Sequence, residues 1–297
     1  MKKNYIFKGV GTALVTPFHL GRIDYPTLDR LIERQIGCGI DALVIGGTTG
    51  EAATLSDRER YSLYTHAIDR IGGRCAVILG TGTNDTRVAI KHTDTAERLG
   101  ADGALVVTPY YNKGTAGGVL EHYKRIAAST SLPIILYNVP SRTGVNIGLA
   151  ELTELAGVEN IVGIKEASDS ADRLVKIAAL GEDLPLYAGN DSQTYTALAL
   201  GGSGVISVLS NLYPERMKRI TDSYLAGHKE ESLAEQTSLL PLIDAMFLET
   251  NPAPIKYAMA KMGLCREDMR LPLMAVTDAT RRAIDKITQN FIPEKEV

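Results

Sequence analysis

Residues 98–109 read RLGADGALVVTP. An amphipathic, charged segment ends at Leu99, Gly100 follows, and a short apolar run begins at Ala104. Glycine just past a helix takes the left-handed conformation cheaply, so Gly100 reads as a helix stop. The run after it is brief, rich in Val and Leu and bounded by turn residues, as in a strand buried on both faces. The same phrase recurs as QIGCGIDALVIGG (35–47), RIGGRCAVILG (70–80), ALGEDLPLYAG (179–189) and ALGGSGVISV (199–208). An internal repeat of helix stop and strand therefore organises the chain.

Collecting the runs gives eight strands, starting near Val10, Ala42, Ala76, Ala104, Pro133, Ile161, Leu186 and Gly204. Helical patterns such as DYPTLDRLIERQ (24–35), SDRERYSLYTHAIDRI (56–71) and NDTRVAIKHTDTAERL (84–99) fill the gaps, each opened by an Asp, Asn or Ser cap. This α/β pattern predicts a (β/α)8 TIM barrel over residues 1–226 and a C-terminal helical region over 227–297. The competing doubly wound sheet lacks its glycine fingerprint, since no GxGxxG follows the first strand.

Composition narrows the function. Of 297 residues 44% are hydrophobic and 23% charged, which suits a globular chain with a large core. A net charge of −3 and the lack of a basic stripe argue against nucleic acid as a partner. No apolar stretch is long enough to span a membrane, and no signal peptide is evident, so a cytoplasmic location is expected. Cys38, Cys75 and Cys265 are an odd, widely spaced set, read as reduced and buried. The five histidines show no metal-ligand spacing, so no metal site is expected.

Barrel active sites lie at the C-terminal ends of the strands, and that rule selects the motifs. GGTTGEAATL (46–55) leaves strand two; its threonines and glycines form a small carboxylate pocket or, alternatively, cap the next helix. Tyr137, at the end of strand five, is on the inward face as an acid or base, or else is a core tyrosine with one hydrogen bond. Arg142 follows in a Pro/Gly-bracketed loop, where its fork suits a carboxylate or an ordinary surface ion pair. In IVGIKEASD (161–169), alternation puts Lys165 inside with Gly163 and Glu166 toward the helices. An amine buried away from other charges favours its neutral, nucleophilic form, so Lys165 reads as a Schiff-base former. The alternative is a lysine paired with a carboxylate across the barrel. NPAPIK (251–256) is expected to start a C-terminal helix, with Asn251 as its cap or polar anchor.

GGTTGE (46–51), TPYYN (108–112), YNVPSRTG (137–144) and GIKEAS (163–168), in this order and spacing, closely resemble the dihydrodipicolinate synthase family of pyruvate-dependent class I aldolases. The likeness runs from GVGTALVTPF (9–18) through NPAPIKYAMAKMG (251–263). It implies a lyase that needs no cofactor beyond a covalent imine between Lys165 and pyruvate. L-aspartate 4-semialdehyde would be the second substrate and 4-hydroxytetrahydrodipicolinate, a lysine and diaminopimelate precursor, the product. Catalytic roles would fall to Lys165, Tyr137, Thr48 and Tyr111 of a neighbouring subunit. Thr49, Arg142 and Ile206 would bind substrate. The resemblance also implies a homotetramer built as a dimer of dimers. The alternative within the superfamily is N-acetylneuraminate lyase or a 2-keto-3-deoxy sugar acid aldolase. Feedback-sensitive members tend to carry histidine where this chain has Asp57 and glutamate where it has Val88. Inhibition by lysine, at a pocket near Ala53, Asn84 and Tyr110, is accordingly expected to be weak or absent.

Overall fold

Eight parallel strands close on themselves: β1 (Gly9–Ala13), β2 (Ala42–Ile45), β3 (Ala76–Gly80), β4 (Gly103–Val107), β5 (Ile134–Asn138), β6 (Ile161–Glu166), β7 (Leu186–Ala188) and β8 (Gly204–Ser207). The structure is a computed structural model, and it describes residues 5–289 and 291. Each predicted strand starts within one residue of the observed one. β1 pairs with both β2 and β8, which leaves no free edge. A two-stranded ribbon, Phe18–His19 with Arg22–Ile23, follows β1 and was not foreseen.

The helices that face the barrel are α1 (Tyr25–Gly37), α2 (Asp57–Ile71), α3 (Thr86–Arg98), α4 (Ala116–Ala128), α5 (Leu149–Ala156), α6 (Ala171–Ala178), α7 (Thr194–Ala199) and α8 (Pro214–Leu225). Their starts are chemically specified. Asp24 accepts from the Thr27 N–H, Asp85 from the Arg87 N–H, and Ser56 forms a full capping box with Glu59. The glycines that end the repeats do sit in the left-handed region, at φ 57° for Gly72 and 81° for Gly100. Beyond α8 the described residues form helices α9 (Lys229–Ala245), α10 (Ala253–Lys261) and α11 (Asp278–Thr288).

Alternation along the strands sorts the core into two layers. Outward residues such as Leu43, Ile45, Leu79 and Ile164 pack under the helices. Inward residues such as Val44, Ile78, Leu105, Ile135 and Ile206 fill the barrel. Each such aliphatic side chain contributes about 1.5–3 kcal/mol by leaving water. At the N-terminal end the Phe7 ring stacks on Tyr187, with centroids 4.6 Å apart, and the Tyr187 hydroxyl donates to the Phe7 carbonyl at 2.6 Å. The three cysteines are free, but they are half-buried rather than buried. Burial pushes the thiols of Cys75 and Cys265 up to about 11. No described helix is long and apolar enough to cross a membrane.

Candidate active site

β6 carries the decisive residue, and it does so through an irregularity. Ile134 pairs with Ile161 but Ile135 pairs with Gly163, so β6 holds one extra residue, a bulge. Val162 thereby turns into the barrel, and the parity downstream resets. Lys165 then points inward and Glu166 outward. Gly163 suits its position, because a Cβ there would lie 3.0 Å from the Pro185 carbonyl and 3.1 Å from the Tyr187 ring, and both would have to give way. Lys165 is 4% exposed and forms no ion pair among the described residues. Its register partner on β5 is Tyr137, and its Nζ lies 4.3 Å from the centre of that ring.

The two threonines sit in the turn that leaves β2. They do not cap α2, since Ser56 does that. Thr49 is 2% exposed and its hydroxyl accepts a 3.0 Å hydrogen bond from the Asn251 side-chain amide. The Thr48 carbonyl accepts from the Glu51 N–H at 3.0 Å, closing the turn. Thr49, Tyr137, Lys165, Arg142 and Asn251 line one cavity of about 620 Å³. Thr48, Tyr137 and Arg142 also border a second cavity of about 450 Å³. Tyr137 and Arg142 are thus common to both spaces.

Arg142 rides on a single helical turn, Pro140–Thr143, stopped by Gly144 at φ 68°. Its guanidinium donates to the Asn251 carbonyl at 3.0 Å, so Asn251 ties Arg142 to Thr49. Asn251 is therefore a polar anchor rather than the cap of α10, where Pro252 holds that position. Ile206 is fully buried in the inward layer and borders neither cavity. Tyr111, after β4, is 88% exposed at φ 72° and also borders neither.

Other groups had not been anticipated. Asp191, just past β7, is fully buried beside the Lys165 cavity and accepts from the Val208 and Leu209 N–H groups at 3.1 and 2.9 Å. Burial raises its carboxyl above the ordinary value, against the pull of Ser207, of those N–H groups and of the Lys165 charge. The rule that favours strand C-terminal ends would have found it in LYAGND (186–191). Glu166 is clamped behind the site by the Asn138 amide, the Ser168 N–H and Arg173, the last at 2.8 Å. This network holds the ends of β5 and β6 together immediately behind Tyr137 and Lys165.

A closed parallel barrel with one unpaired, buried lysine and an adjoining tyrosine at its C-terminal mouth defines a lysine-centred aldolase-type barrel. The family model for the dihydrodipicolinate synthetase family matches residues 6–291, and the chain belongs to that family. It is 47% identical to the 4-hydroxy-tetrahydrodipicolinate synthase of Syntrophus aciditrophicus, over 96% of this chain and 99% of the relative. With the protein of the same name from Clostridium novyi it is 45% identical, over 96% and 97%. The crystal structure of dihydrodipicolinate synthase from Thermotoga maritima superposes with a TM-score of 0.94 at 40% identity, covering 96% of this chain and 99% of that one.

Proposed function

We propose that the chain is a 4-hydroxy-tetrahydrodipicolinate synthase, a lyase of the class I aldolase type that joins pyruvate to L-aspartate 4-semialdehyde in lysine and diaminopimelate biosynthesis. The observation that carries this reading is the unpaired, buried Lys165 beside Tyr137, in a family whose full-length relatives bear that name. The sugar-acid lyase alternative is not favoured by those relatives.

In this mechanism the Lys165 amine attacks the pyruvate ketone, water leaves, and an imine forms. Loss of a methyl proton gives the enamine, whose carbon attacks the aldehyde of the second substrate. The semialdehyde's own amine then attacks the imine carbon and displaces Lys165, so the ring closes with one water released overall. Tyr137 moves protons beside the imine, and Thr48 relays them to Tyr111 of a neighbouring subunit. Thr49 receives the pyruvate carboxylate and Arg142 the semialdehyde carboxylate, by a charge-assisted fork. Ile206, which borders neither cavity, backs the pyruvate subsite from the inward apolar layer. No metal or cofactor enters these steps. The exposure of Tyr111 supports a homotetramer of paired subunits that share sites, and a cytoplasmic setting suits the substrates. We assign the barrel to residues 1–226 and the helical appendage to 227–297, of which residues 1–4, 290 and 292–297 lie outside the described residues.

Product formation from pyruvate and the semialdehyde, run beside pyruvate with N-acetylmannosamine, tests the assignment. Condensation is expected only in the first mixture. Turnover of the sugar and not of the semialdehyde would overturn it.

A further inference from the structure

Lys165 is not the only buried lysine. Lys256, on the first turn of α10, is fully buried against the equally buried carboxylate of Glu51, which donors reach from both sides. The Lys256 Nζ also donates to the Asp268 carbonyl at 2.9 Å and lies 4.6 Å over the Phe18 ring. The second Glu51 oxygen accepts from the Arg270 N–H at 3.1 Å. Lys256 borders neither cavity, whereas Glu51 borders the one that holds Thr48.

We propose that the Glu51–Lys256 pair is a positioning device that holds the Thr48–Thr49 turn in place for pyruvate, making both residues positioning residues of the reaction. The inference rests on the function proposed above. Glu51 has φ 55°, a left-handed conformation that is uncommon and unfavourable for a residue with a side chain, so its buried contacts must offset that cost. Its N–H closes the turn on the Thr48 carbonyl, so whatever fixes Glu51 fixes both threonines. The segment that supplies Lys256 also supplies Asn251, which grips the Thr49 hydroxyl. Two anchors on one stretch thus converge on one turn.

Stability alone does not account for such a pair. Taking both charges out of water costs about as much as their attraction returns, and an apolar pair of similar volume often does as well. Burial pulls the Lys256 ammonium below its ordinary pKa even with Glu51 beside it. A well-defined geometry of the turn is what the pair supplies that an apolar pair would not.

The test uses the full chain with Glu51→Gln and with the double variant Glu51→Leu/Lys256→Met. Three quantities are read: the thermal midpoint, the pyruvate concentration that half-saturates borohydride trapping, and the semialdehyde KM. The double variant also removes the partners of the Arg270 N–H and the Asp268 carbonyl, so its thermal midpoint is expected to fall by several degrees while the chain stays folded. Half-saturating pyruvate rises about 10–100-fold with the semialdehyde KM unchanged. Glu51→Gln keeps the shape and an acceptor toward Lys256, and covers the case in which the double variant does not fold. It should raise half-saturating pyruvate in the same direction. Hydrogen exchange of residues 47–52, read without substrate, should quicken in both variants while the strands keep their protection. Wild-type pyruvate saturation in a folded variant, an equal rise in both substrates' constants, or unaltered exchange in the turn would overturn the proposal. A wild-type chain that traps no pyruvate would instead sink the functional reading, and the exchange data would still decide the role of the pair.

Discussion

Lys165 and Tyr137 are register partners on adjacent strands, and the Lys165 Nζ lies 4.3 Å from the tyrosine ring centre. Incubation with pyruvate, borohydride reduction and peptide mapping should therefore place the adduct on Lys165. Tyr137→Phe keeps the ring but removes the proton carrier, and turnover should fall about 10²–10⁴-fold. An adduct on Lys256 or elsewhere, or full activity in the phenylalanine variant, would contradict the mechanism.

Arg142→Ala should weaken use of the semialdehyde by about 2–4 kcal/mol, roughly 30–1,000-fold in kcat/KM. Pyruvate trapping should fall less. It should still change, because Arg142 holds the Asn251 carbonyl and Asn251 holds Thr49. Steady-state kinetics beside a trapping titration separates the two. Equal losses would mean that Arg142 serves the pyruvate subsite instead.

Tyr111 is 88% exposed in the single chain, as a group destined for another subunit's site would be. Chains carrying Tyr111→Phe and chains carrying Lys165→Ala should each be nearly inactive. Mixed under conditions of subunit exchange, they should regain activity, because a hybrid pair assembles one intact site. Verified exchange without recovery would show that each subunit works alone.

Lysine should inhibit weakly or not at all. Asp57 is already engaged, accepting from Lys91 at 2.7 Å and lying 3.3 Å from the His92 ring nitrogen, in the first turn of α2. Val88 offers a ligand's ammonium no acceptor, and one charge-assisted contact is worth about 1.5–3 kcal/mol, or roughly 10–150-fold. Turnover measured across a lysine titration, with both substrates near half-saturation, checks this. Strong inhibition below a millimolar would mean that other groups in the pocket bind the amino acid.

His122 sets an acid limit. Burial lowers its pKa to about 4, and its Nδ1 lies 2.9 Å from the Thr86 hydroxyl. The folded chain keeps the ring neutral while the unfolded chain protonates it near 6.5. Its contribution is therefore complete above pH 6.5 and is lost as pH falls toward 4, by on the order of 3 kcal/mol. Glu59, held near 2 by Arg270, begins to lose its own contribution as pH falls below about 4.5, but it does so equally in wild type and variant and cancels from their difference. Urea unfolding at pH 7 and pH 4 should show His122→Phe gaining on the wild type by that amount, and a constant difference would refute it.

Much of this was legible in the chain because the information is local. An apolar run between a helix-stop glycine and a cap defines a strand wherever it occurs, and parity puts Lys165 on the face of Gly163 and opposite Glu166 from its neighbours alone. The bulge at Val162 was not legible, since register belongs to two strands and β6 shows only one of them. Nor was the pairing of Glu51 with Lys256, which lie 205 positions apart and meet only after the barrel closes. Asp191 was missed for a different reason. β7 is only three residues long, too short for periodicity to draw attention to the polar group behind it.

The Phe7–Tyr187 stack makes the barrel a cup and not a tube. Pyruvate, the water it expels, the second substrate and the finished ring all pass one rim. In the proposed reaction depth then imposes a queue: a molecule bonded to Lys165 would lie beneath whatever arrives after it, with no outlet below.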